Sequence, residues 1–145
     1  MSLARIVAVL IVCALANADV SKPPAFSEIF SVDFPEDWEL AEEGWKSGET
    51  GGEMLFSIEP GPEPYVTVMG HVVWGEVIEP IYGNRTLIDE TDEYQLYHVT
   101  RPIDEKRFLV WLKEGEKYTL TLWLEPDKAE LNQRVLAAFG RVEVH

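Results

Sequence analysis

Three histidines, a serine–lysine pair in a glycine-rich stretch, one acidic cluster and five tryptophans are the residues whose chemistry could define a function here. His71, His98 and His145 are each isolated. None lies three or four residues from another His or Cys, the spacing a zinc site uses. They read as structural or surface histidines. Ser47 follows Lys46 in a glycine-rich stretch, but adjacent side chains project differently rather than converge. There is no Gly-x-Ser-x-Gly elbow to expose a nucleophile. The same stretch, Gly44 to Gly52, lacks the Gly-Lys-Ser/Thr ending of a phosphate loop, and Glu49 and Glu53 would repel the anion.

Asp89, Glu90, Asp92 and Glu93 place four carboxylates in five positions. Calcium takes six to eight oxygens, and this turn offers a loosely held ion three or four of them. It lacks the Asp-x-Asp-x-Asp-Gly order of an EF-hand, so a solvated hairpin turn is the competing reading. Paired carboxylates could also hydrolyse a glycosidic bond if two faced each other across a cleft. With 26 acids in the chain, spacing alone picks out no such pair. Trp38, Trp45 and Trp74 fall near expected loops or strand ends and, with Glu42 and Glu43, form the candidate binding surface. An indole rimmed by carboxylates can stack on a sugar or hold a cation over its face. Asn84-Arg85-Thr86 is an N-glycosylation sequon, relevant in a eukaryotic host.

Charge narrows the partners. The chain carries a net charge of −14. Asp19 to Asn84 holds 14 acids against two bases, a net −12, whereas Arg85 to His145 holds 12 against nine, a net −3. Such a field repels phosphate backbones and anionic lipid, so a cationic partner fits and nucleic acid does not. Arg5, the apolar run Ile6 to Leu15 and the Ala16-Asn17-Ala18 cleavage pattern read as a secretory signal peptide over residues 1–18. Its apolar core is shorter than the ~20 residues that span a bilayer, so no stable membrane anchor is expected. Val12 before Cys13 is a poor lipoprotein signal. Cleavage would leave a single domain, residues 19–145, secreted or periplasmic and cysteine-free. Thiol chemistry and disulfide scaffolds are thereby excluded.

The elements that must position these residues are mostly strands. Phe30, Val32 and Phe34 alternate with polar residues over Ile29 to Phe34, and Trp38 to Leu40 opens a second segment. Gly44 to Gly52 reads as a flexible loop, Met54 to Ile58 as a strand, and Pro60 to Pro64 as a rigid break. Tyr65 to Trp74 is the most β-prone run, and Thr86 to Ile88 and Tyr94 to Thr100 flank the acidic turn. Phe108 to Leu112 and Tyr118 to Leu124 form a hairpin. A two-residue turn at Glu114-Gly115 sets Leu109 opposite Leu120 and Trp111 opposite Tyr118. That hairpin is apolar on both sides and belongs in the middle of a sheet. Leu131, Val135, Leu136 and Phe139 then recur at helical spacing, Gly140 stops the helix, and Arg141 to His145 returns as a last strand. The expected fold is α+β: an antiparallel sheet of about seven strands covered by a C-terminal helix.

This order of elements is similar to the PsbP/Mog1-like α/β/α sandwich proteins. The likeness is carried by Phe34-Pro35-Glu36-Asp37-Trp38, by the hairpin strand Tyr118-Thr119-Leu120-Thr121-Leu122, and by the helix end Ala138-Phe139-Gly140-Arg141-Val142. It covers Phe30 to Val144, and it departs from the pattern in having no clear helix between the early strands. The resemblance implies a non-catalytic binding or assembly domain and transfers no functional residue. The expected function is therefore a secreted or periplasmic binding domain with an acidic surface and no cofactor. A carboxylate-dependent hydrolase acting on a sugar or cell-wall polymer, and a calcium-dependent adhesion module, are the alternatives. Oligomeric state is not legible at this level.

Overall fold

The computed structural model describes residues 23–62, 66–76 and 78–145. The expected signal peptide (residues 1–18), Cys13, and Tyr65 at the head of the expected strand lie outside the described residues. In chain order the elements are α1 (Phe26–Ile29), β1 (Phe30–Ser31), β2 (Glu39–Ser47), β3 (Gly51–Glu59), β4 (Val68–Gly75) and β5 (Asn84–Glu90). There follow β6 (Gln95–Thr100), β7 (Arg107–Glu114), β8 (Tyr118–Leu124), α2 (Ala129–Phe139) and β9 (Glu143–Val144). Seven strands make one antiparallel sheet in the order β2-β3-β4-β8-β7-β6-β5, and β1 pairs with β9 in a separate two-stranded unit. No helix among the described residues is long and apolar enough to cross a membrane.

Alternation along the central strands gives the sheet two apolar faces. Met54, Phe56 and Ile58 of β3, Val72 of β4 and Leu120, Leu122 and Leu124 of β8 point to one side, where Val135 and Phe139 of α2 close over them. Phe26 of α1 meets Phe56 edge-on on the same side, with ring centroids 5.5 Å apart. Full burial of each such side chain contributes about 1.5–3 kcal/mol, so this covered face supplies most of the packing. Phe108, Val110, Leu112 and Val99 point to the opposite side. Among the described residues, a short strap between β4 and β5 crosses that side, with Ile81 buried beneath it. Gly75 and Gly83 bracket the strap with φ of 93° and 121°, conformations that favour glycine. Both helices lie on the covered face, so the described residues form two layers and not the three of an α/β/α sandwich.

The β7–β8 hairpin sits at the centre, as its two apolar faces require, but its register differs from the sequence expectation. Leu109 pairs with Leu124 and Trp111 with Leu122, and the last pair before the turn is Glu114 with Thr119. The turn is wider because the chain terminus occupies it. Lys117 N and Tyr118 N both donate to the His145 carbonyl, at 2.8 and 3.0 Å. The shift is an even number of residues, so every side chain keeps its expected face.

Two further expectations are corrected. Only Phe30–Ser31 of the Ile29 to Phe34 segment is a strand, because Phe26–Ile29 winds into a helical turn before it. Most of Gly44 to Gly52 is not loop but the paired ends of β2 and β3. Gly44 follows a β-bulge, and the Trp74 ring lies where a side chain on Gly52 would sit. These glycines permit close approach within a sheet. The C-terminal segment does return as a strand, β9, antiparallel to β1.

A β-carbon on Gly115 would fall within 2.2–2.5 Å of the Val144 and His145 backbone. Gly115→Ala is therefore expected to destabilise the fold by about 1–3 kcal/mol through overpacking, read by urea denaturation. An unchanged midpoint would mean that the terminus does not set this turn.

Candidate functional site

On the less covered face, β3, β4, β7 and β8 floor a pocket of about 310 Å³. Leu55, Met69, Phe108 and Trp123 form its apolar base, Tyr82 of the strap and Arg101 of the β6–β7 turn form walls, and Glu53 and His71 close one end. The ladder places these groups. Leu55 pairs with His71 across β3–β4, and Met69 pairs with Trp123 across β4–β8. Trp123 Nε1 donates to Thr121 Oγ1, and that hydroxyl donates to the His71 carbonyl, both at 3.2 Å. The indole and the histidine strand are thus held by one chain of hydrogen bonds.

Glu53 is the hub of the polar end. Its Oε1 lies 3.0 Å from His71 Nε2 and 3.5 Å from the Tyr82 hydroxyl, and its Oε2 is 3.2 Å from Lys46 Nζ. Burial alone would raise the Glu53 carboxyl, but hydrogen bonds and charge from His71 and Lys46 outweigh it and hold the group below its usual range. An ionised carboxylate only accepts, so His71 Nε2 carries the proton of their bond. Tyr82 shifts up, first because it is partly buried and second because the Glu53 anion opposes a phenolate beside it. At the other wall, Arg101 binds Asp104 through two nitrogens, at 3.0 and 2.5 Å. That bond holds the Asp104 carboxyl down at about 2.

The cluster is built to keep a negative charge in place. A general acid needs a carboxyl raised toward neutrality; Glu53, the carboxylate lining this pocket among the described residues, moves the other way. His71 spends its Nε2 proton on that carboxylate, with 4% of its side chain exposed. Among the described residues, the lining holds no Ser, Thr or Cys.

The residues expected from sequence are dispersed. Trp38, Trp45 and Trp74 are half-buried and pack against the core of the covered face. Trp38 stacks on Phe34 at 5.7 Å, and Trp74 meets Tyr118 edge-on at 5.6 Å. Glu42 and Glu43 are exposed at the β2 bulge, and Glu43 Oε2 accepts from Ser57 Oγ at 2.7 Å. In the β5–β6 turn, Asp89 accepts from Tyr94, Glu90 accepts from Gln95, and Glu93 pairs with Lys113. Three of that turn's four acids therefore already serve the protein, while Asp92 is exposed beside them. No metal-ligating cluster occurs among the described residues. Asn84 is exposed on the edge strand β5, and His98 is exposed on β6. His145 lies 3.1 Å from Ser31 Oγ.

Sequence reading missed the Glu53–His71–Tyr82–Lys46 cluster. Lys46 and Glu53 face each other only because the glycine-rich stretch is a hairpin arm. The available signal was Trp45, whose alternation with polar neighbours continues β2 past Gly44. No family model, curated protein or solved structure matches the chain.

Because the folded-state Glu53 is lowered, its contribution is complete above about pH 4.5 and lost as pH falls through its depressed value. Glu53→Gln should flatten the fall in melting temperature as pH drops from about 6 to about 3. A wild-type slope in the variant would show that the cluster does not tie this charge to folding.

Proposed function

We propose that this chain is an exported domain, secreted or periplasmic, that binds a partner without catalysis. Its acidic β2–β3 sector meets a cationic surface. The observation that carries this reading is one cross-strand pair. Glu39 lies directly opposite Glu59, both exposed. Like charges in that position destabilise a sheet. Glu43 extends the same acidic edge, and Lys46 is already tied to Glu53. A cationic partner relieves the repulsion, so the strain in the free domain becomes binding energy. The depressed Glu53 carboxyl suits a fixed anion better than an acid catalyst.

The double variant Glu39→Gln/Glu59→Gln should gain about 0.2–1 kcal/mol of stability and lose several-fold affinity for poly-L-lysine at fixed salt. A control of equal net charge, Glu116→Gln/Glu130→Gln, should lose less. Equal losses in both would mean that net charge alone attracts the polycation, and the reading would fail.

A further inference from the structure

We propose that the pocket on the less covered face is a binding site for a small organic monocation: one aromatic ring carrying an ammonium on a short arm. The ring lies on the apolar base, and the ammonium donates to Glu53 Oε1. This goes beyond the protein contact assigned to Glu39 and Glu59, and neither reading needs the other.

Shape and lining set the size and flatness of the ligand. Trp123 and Phe108 meet edge-on, with ring centroids 5.4 Å apart and planes at 80°, so they make a corner of two aromatic surfaces. His71 and Tyr82 stand at the other end, with centroids 5.8 Å apart. Leu55 and Met69 in the base are 44% and 40% exposed, and a seated ring would cover them. That burial is favourable in proportion to the apolar area removed from water, and the thioether of Met69 adapts to a flat guest. The strap bounds this space and does not fill it: Ile81 clusters with Val99, Val110 and Leu112, while Tyr82 forms a wall. A cavity of about 150 Å³ is enough for benzene. This one has about 310 Å³, room for one ring and a short arm.

The polar end sets the charge. The ionised Glu53 side chain is 18% exposed, and a carboxylate offers about four acceptor sites. His71 Nε2 takes one on Oε1 at 3.0 Å, and Lys46 Nζ takes one on Oε2 at 3.2 Å. The Tyr82 hydroxyl reaches Oε1 only at 3.5 Å, the outer limit of a hydrogen bond. Among the described residues, Oε1 therefore keeps room for a stronger donor, and an ammonium carries three. Lys46 is 77% exposed, so water screens its charge and its pairing is weak. A cation is also attracted to the faces of the surrounding rings. An anion has no such welcome. The cationic wall, Arg101, is already bound by Asp104 through two nitrogens, at 3.0 and 2.5 Å. The net charge of −14 repels it further.

The walls are in place before a ligand arrives. Trp123 Nε1, Thr121 Oγ1 and the His71 carbonyl form one hydrogen-bond chain that fixes the indole against its strand. His71 is held by Glu53, and Arg101 by Asp104. Groups ordered in advance lose little freedom on binding, so a small ligand keeps most of the energy of its contacts.

The test is a titration of the full chain with three probes of one shape: phenethylamine, phenethyl alcohol and hydrocinnamate. Indole N–H signals in nitrogen–proton correlation spectra report the site. The Trp123 signal, assigned with Trp123→Phe, should move, while those of Trp38, Trp45 and Trp74 on the covered face should not. The amine should bind about tenfold tighter than the alcohol, because its hydrogen bond is charge-assisted, and the acid should bind most weakly. Glu53→Gln keeps an acceptor for His71 and should bring the amine down to the affinity of the alcohol. Glu116→Gln removes one exposed charge elsewhere and should leave the preference intact. Met69→Ala should weaken amine and alcohol alike, with circular-dichroism melts confirming that each variant is folded. Any other order of the three affinities overturns the proposal, as does a Trp123 signal that stays still at millimolar amine. A preference for the amine that survives Glu53→Gln overturns it too. Poly-L-lysine binding through Glu39 and Glu59 reads a different surface, so either result can fail without the other.

Discussion

The structure depends on one constraint: the β7–β8 hairpin must bury apolar side chains on both of its faces. Leu120, Leu122 and Leu124 point one way, while Phe108, Val110 and Leu112 point the other. A strand of that kind cannot lie at a wet edge, so β4 must pair on one side of it and β6 on the other. The covered face then recruits α2, whose Val135 and Phe139 are fully buried. The second face receives only a short strap. The exposed Leu55, Met69 and Leu87 on it are a consequence of the same alternation that builds the core.

That asymmetry explains where function-bearing chemistry collects. On the covered face Trp38, Trp45 and Trp74 are all used in packing. On the other, the sheet leaves a shallow pocket whose floor is apolar and whose polar end is organised by Glu53. Lys46, His71 and Tyr82 come from three different segments and meet at one carboxylate. Their joint effect is to hold a charge in the ionised state at the edge of an apolar surface. A charge held in this way orients a partner and fixes register more readily than it transfers a proton.

The acidic composition and the fold answer each other through the edge strands. β2 carries a bulge at Glu42 to Gly44, and β5 carries one at Leu87 to Asp89. Both edges of the sheet are thereby protected from lateral strand addition, while its less covered face keeps the pocket beside the strap. Glu39 opposite Glu59 lies at one end of that face, and Arg85 over Tyr97 lies at the other.

The sequence alone determined the α+β class, the antiparallel sheet, the central hairpin, the amphipathic helix and the face of each residue in β7 and β8. Those features follow from periodicity and local turn chemistry, which are properties of neighbours in the chain. It did not determine the β7–β8 register, because the turn is set by hydrogen bonds from the distant His145 carbonyl. Nor did it show that Gly44 to Gly52 is a hairpin arm. Glycine permits many conformations, and the β2–β3 pairing, with Trp74 packed against Gly52, selects one. The meeting of Lys46, Glu53, His71 and Tyr82 was likewise decided by tertiary pairing. A cross-strand contact depends on register, and register is fixed by the packing of the whole sheet.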